Sequence, residues 1–314
     1  MIVSSCPLRV SLLGGSTDLE DFIDKYKSGQ VINFPVNLYT YVSLNERKDK
    51  NFLIQYSSTE KISVKNRKDI KNDVVRVALE YFKIKTPLTI TLTADIPSHG
   101  SGLASSSSFM ISMVKALSTF KNLELSDIEI CDISLNLERK FNPLVGRQDP
   151  YGCGLKGFKK MFFGKNKLPQ ITLYDHSFFK KFNLNLVPIG KGRKSTEVLK
   201  SLDYDKRKIL YDKVNLGNDL IVHSKFDKLN HLVLEGWESK KLTSPLILND
   251  EVKKIENYLK SYNNLEPNCT LSYKLCGAGN GGYMLVISEL DSNFNLGIRI
   301  DVDFKGIKSW ELWK

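Results

Sequence analysis

The chain has 314 residues, 41% hydrophobic and 26% charged, ordinary for a globular protein and long enough for two domains. An excess of 46 Lys and Arg over 35 Asp and Glu gives +11, which favours anionic partners without choosing among nucleotides, sugar phosphates, nucleic acid and acidic membrane. The surplus is spread through runs at 156–167 and 191–194, with no zinc spacing, basic helix or aromatic RNP pattern and no apolar run near the roughly 18 residues of a membrane span, so neither nucleic acid nor membrane is an expected partner.

Strands are expected at 9–13, 37–44, 52–57 and 88–96, where β-branched and aromatic residues cluster and partly alternate. Residues 7–18, PLRVSLLGGSTD, place an arginine in the first strand, then a Gly14-Gly15 turn, Ser16, Thr17 and Asp18. Read locally, Asp18 caps a helix through 19–25; alternatively, Arg9 and Asp18 set a fixed cation and a carboxylate at one strand end. Val74, Val75, Ala78, Tyr81 and Phe82 sit at helical spacing and predict a core-facing helix.

Residues 97–109, PSHGSGLASSSSF, join the strand at 88–96 to a helix at 107–120 whose Phe109, Met113, Ala116, Leu117 and Phe120 form an apolar stripe. Gly100 and Gly102 let the backbone turn tightly, and the following helix offers unpaired N–H groups and a positive dipole end, the elements of a phosphate cradle. The serines add hydroxyls that can cap the helix, bond a phosphate or ligate a hard cation. A serine-capped helix is the plainer reading, but four consecutive serines exceed what one cap needs. The next helix, 126–139, opens on a capping box of Ser126 and Glu129 and carries Glu138 near its end, beside Arg139 and Lys140. Asp149 follows a Gly146-Arg147-Gln148 turn. Two carboxylates near a phosphate loop could divide the tasks of holding Mg²⁺ and orienting an acceptor hydroxyl, although a solvated helix face also explains Glu138.

The second half begins with a strand at 182–189, continues with helices at 195–202, 206–223, 225–238 and 248–262, and closes with strands at 271–276, 283–288 and 298–304. A domain boundary near 182 divides the chain into 1–182 and 183–314. Residues 274–282, KLCGAGNGG, satisfy G-x-G-x-x-G through Gly277, Gly279 and Gly282, but a strand follows where the dinucleotide fingerprint requires a helix. No Walker G-x-x-x-x-G-K-[ST] occurs. The glycines between two strands either make a bend or admit a close backbone approach to a substrate or phosphate loop. Cys6, Cys131, Cys153, Cys269 and Cys276 are odd in number and lack metal spacing, so they read as reduced, and a cytoplasmic location is expected.

In this order, residues 9–18, the Gly-Ser-Gly-Leu-Ala-Ser-Ser-Ser stretch and Cys-Gly-Ala-Gly-Asn-Gly-Gly resemble the three signature motifs of the GHMP small-molecule kinases. The opening residues, the Gly-Arg-Gln-Asp segment, residues 194–199 and 237–245 are most similar to the D-glycero-D-manno-heptose 7-phosphate kinase branch. The resemblance implies a two-domain α+β GHMP kinase fold, with an N-terminal ATP-binding domain of the ribosomal S5 domain 2 type and a ferredoxin-like C-terminal domain. It implies transfer of the γ-phosphoryl of ATP, with Mg²⁺, to the anomeric hydroxyl of the heptose 7-phosphate, by a monomer or homodimer. Another sugar acceptor, or an inactive nucleotide- and sugar-binding regulator, are its rivals.

On this resemblance Gly100, Ser101, Gly102, Leu103, Ala104, Ser105, Ser106 and Ser107 hold the ATP phosphates, and Ser105, Ser106 and Glu138 the metal. Asp149 is the base or orienting group and Arg9 stabilises charge beside it. Gly15, Ser16, Thr17 and Asp18 bind sugar hydroxyls, Gly277, Gly279 and Gly281 close over the substrate and support the phosphate loop, and Arg193, Lys194 and Ser195 take the distal phosphate. Ala104 stands where the family has glycine and is expected to keep a negative φ; Asn280 also replaces a glycine and tolerates left-handed backbone.

Overall fold

A computed structural model describes residues 1–97, 100–190, 195–265 and 271–312. Arg193, Lys194 and Cys269 lie outside them, as does the side chain of Ser195. The first half runs β1 (Ile2–Leu13), α1 (Glu20–Tyr26), β2 (Ser28–Glu46), β3 (Asn51–Gln55), β4 (Thr59–Ser63), α2 (Asp73–Tyr81), β5 (Leu88–Ala94), α3 (Ser105–Phe120), α4 (Asp127–Glu138), α5 (Gln148–Gly154), β6 (Lys159–Gly164) and β7 (Gln170–Leu173). The second half runs β8 (Phe182–Ile189), α6 (Ser195–Lys200), α7 (Tyr204–Val222), α8 (Phe226–Lys241), α9 (Asp250–Leu265), β9 (Ser272–Leu275), β10 (Gly282–Glu289), β11 (Ile298–Ile300) and β12 (Lys308–Glu311).

The first sheet has the order β12-β1-β2-β5-β3-β4, and the long β2 also carries β6, which in turn pairs with β7. β2 pairs with β1 along most of its length, while β5 takes its end and β6 its beginning. Helix α3 buries Met110, Ile111, Met113, Val114 and Leu117 in the core beneath this sheet, at roughly 1.5–3 kcal/mol for each large side chain. Its sheet-facing hydroxyls are all partnered: Ser108 donates to the Cys6 carbonyl at 2.9 Å and meets the Thr40 hydroxyl at 2.7 Å. The expected capping box at the start of α4 is present.

The second sheet is antiparallel, in the order β11-β8-β10-β9. Its plan is that of a β-α-β-β-α-β unit in which helices α6 to α9 fill the first crossover and an irregular loop, 290–297, replaces the second helix. One apolar core joins the halves, with Leu8, Val10 and Phe34 from the first sheet packed among Val214, Leu229, Leu285 and Ile300. A division at 182 cuts across this arrangement at its far end. β12 pairs with β1, and Val302 bridges Val36, so the last strand belongs to the first sheet. Among the described residues no helix is long and apolar enough to cross a membrane.

Candidate active site

The site forms where the first sheet's β1, the α3 N-terminus and α5 converge. Alternation in β1 sends Leu8, Val10 and Leu12 into the core shared by the two halves and Arg9 to the opposite face. There the Arg9 guanidinium donates from Nε (3.2 Å) and Nη2 (2.6 Å) to Asp149 Oδ1, and from Nη1 to the Gly102 carbonyl (2.8 Å). One buried cation thus fastens the expected base to the expected phosphate loop, although the residues are 140 apart in sequence. Asp149 lies in the first turn of α5, where the helix dipole favours a carboxylate. The other end of α5 is held by the buried Lys159 ammonium, which donates to the carbonyls of Gly152, Leu155 and Gly157. Burial pushes that lysine down to about 7.

Asp18 does not cap α1. The N-cap is Leu19, without a side-chain bond, and the Asp18 carboxylate instead accepts from the backbone N–H of Gln148 (2.9 Å) and from its Nε2 (2.8 Å). Burial, and then the charge of Asp149, push its carboxyl up to about 6. Gly15 lies beside this pair: a Cβ there would stand 3.3 Å from Ser11 Oγ and 3.8 Å from Gln148 Nε2. Thr17, through its hydroxyl, and Ser16, through its carbonyl, are bonded within the surrounding fold. The Thr17 hydroxyl, wholly buried, is taken up by the carbonyls of Gly14 (2.8 Å) and Gln30 (2.7 Å), and the Ser16 carbonyl accepts from Arg207 (3.2 Å). Both residues build the turn.

The serine loop divides its hydroxyls. Ser101 and Ser105 bond each other at 2.8 Å, and Ser101 also accepts the Leu103 N–H. Ser107 donates to Glu138 Oε2 at 2.5 Å, and the exposed Ser106 also bonds Glu138. Of the expected metal trio, Ser106 and Glu138 lie together, Ser107 shares the same carboxylate, and Ser105 bonds Ser101. Glu138 is buried, and burial pushes its carboxyl up to about 7 against the pull of the two serine hydroxyls. Among the described residues no group of three His, Cys, Asp or Glu could hold a metal ion. Glu138 and Ser106 supply oxygen only, which fits a hard cation completed by phosphate oxygens and water.

Helix α3 starts two residues earlier than expected, at Ser105, and its N-cap Ala104 has φ 60° and ψ 38°. The expectation of negative φ is thus overturned: the alanine occupies the left-handed region at a cost of roughly 1–2 kcal/mol. Asn280, at φ 65°, does adopt the left-handed geometry.

The late glycines form the β9–β10 hairpin loop and press on the serine loop. A Cβ on Gly277 would lie 2.5 Å from Gly102 Cα, and one on Gly102 would lie 2.4 Å from the Cys276 carbonyl. Both have positive φ, 72° and 74°. Gly279 instead backs onto Ile247, and Gly281 has a positive φ of 132°. Gly277 therefore supports the serine loop, one of the two roles that the resemblance implies for 277–282.

Three further residues reach this region without an expected role. Gln148 holds Asp18, Lys240 donates to the Gly277 carbonyl, and Lys274 donates to the carbonyls of Ser11 and Leu12. Lys274 had one signal in sequence, a lysine within the otherwise apolar strand LSYKLC.

A family profile described as GHMP kinases N terminal domain matches residues 70–157, the stretch that holds the serine loop, Glu138 and Asp149. The chain is 28% identical to a D-glycero-alpha-D-manno-heptose 7-phosphate kinase of Campylobacter jejuni, over 99% of each chain. Its fold superposes on a D-glycero-D-manno-heptose 1-phosphate kinase of Bacteroides thetaiotaomicron with a TM-score of 0.69 at 20% identity, covering 100% of both chains. It also superposes on a Lactococcus lactis galactokinase complexed with galactose, with a TM-score of 0.74 at 15% identity over 92% of this chain and 86% of that one. With its three glycine- and serine-rich motifs gathered around Arg9, the chain carries a GHMP kinases N terminal domain at residues 70–157 and shares its fold with kinases of this kind over nearly its whole length.

Proposed function

We propose that the protein is an ATP-dependent sugar kinase that phosphorylates the anomeric hydroxyl of D-glycero-D-manno-heptose 7-phosphate, giving the 1,7-bisphosphate. The observation that carries the reading is the single Arg9 guanidinium bonded to both Asp149 and the Gly102 carbonyl. It ties the group that handles the acceptor to the loop that holds the donor. The 28% identity to the C. jejuni heptose 7-phosphate kinase over nearly the whole of both chains supports the choice of acceptor.

In this reading the free N–H groups at the start of α3, with Gly100 to Ala104, hold the ATP phosphates. Glu138, Ser106 and Ser107 stand at the cation site, and Mg²⁺, when bound, neutralises charge on the transferred group. Asp149 Oδ1 is taken by Arg9, so Oδ2 receives the hydrogen bond of the acceptor hydroxyl and aims it in line. As the acceptor oxygen bonds the γ-phosphorus and the bond to the β-phosphate oxygen breaks, the hydroxyl proton passes to Asp149. Arg9 keeps the carboxylate oriented and offsets charge at the reacting oxygens. Asp18, held by Gln148, receives sugar hydroxyls. Arg193 and Lys194 remain candidates for the distal phosphate from sequence alone.

The test is incubation of purified protein with Mg-ATP and a panel of sugars with and without a distal phosphate, read by ADP release and phosphorus NMR. The expected product of the heptose 7-phosphate carries a new anomeric phosphate. ADP release no higher with any acceptor than without one would overturn the kinase reading, and a preference for unphosphorylated sugars would overturn the acceptor.

A further inference from the structure

Helix α5 carries Asp149 in its first turn and has little to hold it together from within. It is seven residues long, well under the roughly 12–15 at which an isolated helix becomes even marginal in water, and Gly152 and Gly154 weaken it further. Neither glycine can give way to a better helix former. A Cβ on Gly152 would lie 2.7 Å from Asn33 Nδ2 and 3.2 Å from Arg9 Cγ, and one on Gly154 would lie 2.2 Å from Cys131 Sγ. The close seat on the sheet and on α4 thus weakens the helix itself, and its position depends on what grips its ends.

The start of α5 is gripped twice, by the Asp18 carboxylate on the Gln148 N–H and by Arg9 on Asp149. The other end hangs on Lys159, whose wholly buried ammonium donates to the carbonyls of Gly152 and Gly157 at 3.3 Å and to that of Leu155. The sheet aims this side chain. On β6, Lys159 stands opposite Asn33 of β2; on β1, Arg9 stands opposite Pro35, two residues further along β2. The two side chains therefore rise from one face of one sheet, on the strands that flank β2, and meet α5 at its opposite ends.

The titratable groups around Lys159 are the buried thiols of Cys6, Cys131 and Cys153 and the carboxyl of Asp303. That carboxyl is taken by the Tyr39 hydroxyl at 2.5 Å and by the N–H groups of Lys305 and Gly306. An apolar side chain would fill the same space without the cost of desolvating a charge. What lysine adds is a set of N–H donors at the end of α5.

We propose that Lys159 is a positioning residue for phosphoryl transfer: by holding the end of α5 it sets where Asp149 stands relative to the serine loop. The inference rests on the kinase reading for the task of Asp149, while the anchoring of α5 is testable without it.

The test is a double-mutant cycle. Lys159→Met removes the donors, Lys159→Gln keeps two N–H donors on a chain one atom shorter, and each is made in the wild-type and the Asp149→Asn backgrounds. With Mg-ATP and the sugar phosphate, Lys159→Met should lower kcat by roughly 10²-fold, as for a displacement of about 1 Å at a reacting group, and leave KM for ATP within about twofold. Lys159→Gln should recover about 10-fold of that loss. With Asp149 already replaced, Lys159→Met should cost less than about threefold more. Amide hydrogen exchange without nucleotide should be faster by about 10-fold or more across 148–157 in Lys159→Met, and unchanged across α3 and α4. The same factor lost in both backgrounds would overturn the proposal, because general damage to the fold does not depend on Asp149. So would wild-type exchange across 148–157, or a loss that falls on KM for ATP. If Lys159→Met does not fold, Lys159→Gln decides by the same cycle and the same exchange. If no sugar is phosphorylated, the kinase reading falls, and faster exchange confined to 148–157 still shows that Lys159 anchors α5.

Discussion

Asp18→Asn should make the protein more stable and a poorer enzyme, with a pH signature that identifies the cause. The Asp18 side chain is 1% exposed, and its carboxyl stands at about 6 against 3.8 in a solvated chain, through burial first and the Asp149 charge second. The folded state therefore holds a proton that the unfolded state releases. Stability is untouched below about pH 3.8, falls as pH rises through the window, and has lost its full share above about pH 6. A gap of about two pH units at 1.36 kcal/mol each amounts to roughly 3 kcal/mol. Asparagine has no charge to desolvate. Its amide also finds a partner, because Gln148 Oε1 is unbonded and a turned-over Gln148 side chain presents it to the new NH₂. Urea unfolding of wild type and variant, without nucleotide, at pH 4, 6 and 8 should give a difference near zero at the lowest pH and about 3 kcal/mol in favour of the variant at the highest. A difference that does not change with pH, or a variant no more stable at pH 8, would refute the reasoning. The same variant should show a raised KM for the sugar, the usual exchange of stability for a charged site.

Asp149→Asn should lower turnover by roughly 10²–10⁴ while leaving ATP affinity, measured by titration, nearly intact; near-normal turnover would place the proton acceptor elsewhere. Ala104→Gly should raise unfolding free energy by about 0.5–1 kcal/mol, the left-handed penalty of alanine less the greater chain entropy of glycine, and denaturant midpoints with an unchanged slope would show it. No gain would mean that the methyl's packing against the core beneath α3 outweighs the strain. Gly277→Ala must push the hairpin off the serine loop, since its Cβ would lie 2.5 Å from Gly102 Cα. A loss in kcat/KM of about 10²-fold is expected, with unaltered circular dichroism, and wild-type kinetics would show that the contact is dispensable.

What could be read in the sequence was local. The capping box at Ser126, the apolar stripes of α2 and α3 and the serine loop are each written within about a dozen residues. The first half of β2 was missed because residues 29–36 are buried on both faces, so they do not alternate, and Pro35 reads as a strand breaker. β6 was missed because an inward position is filled by Lys159, which inverts the expected pattern in KKMFFG. Arg9 to Asp149 was legible only through the resemblance, since nothing in either segment announces a partner 140 residues away. Lys240 and Lys274 carried no expected role, since only packing shows that they are removed from water.

Gly102 and Gly277 meet backbone to backbone, and the consequence concerns what mutation can repair. In an ordinary core a side chain that grows on one wall can be accommodated by one that shrinks on the other. Here both walls are already at the smallest residue, so a lesion on either has no compensating partner. Suppressors of Gly102 or Gly277 substitutions should therefore map to the flanks that set the height of the hairpin over the loop, around Ile247 and Lys240, and not to the contact itself.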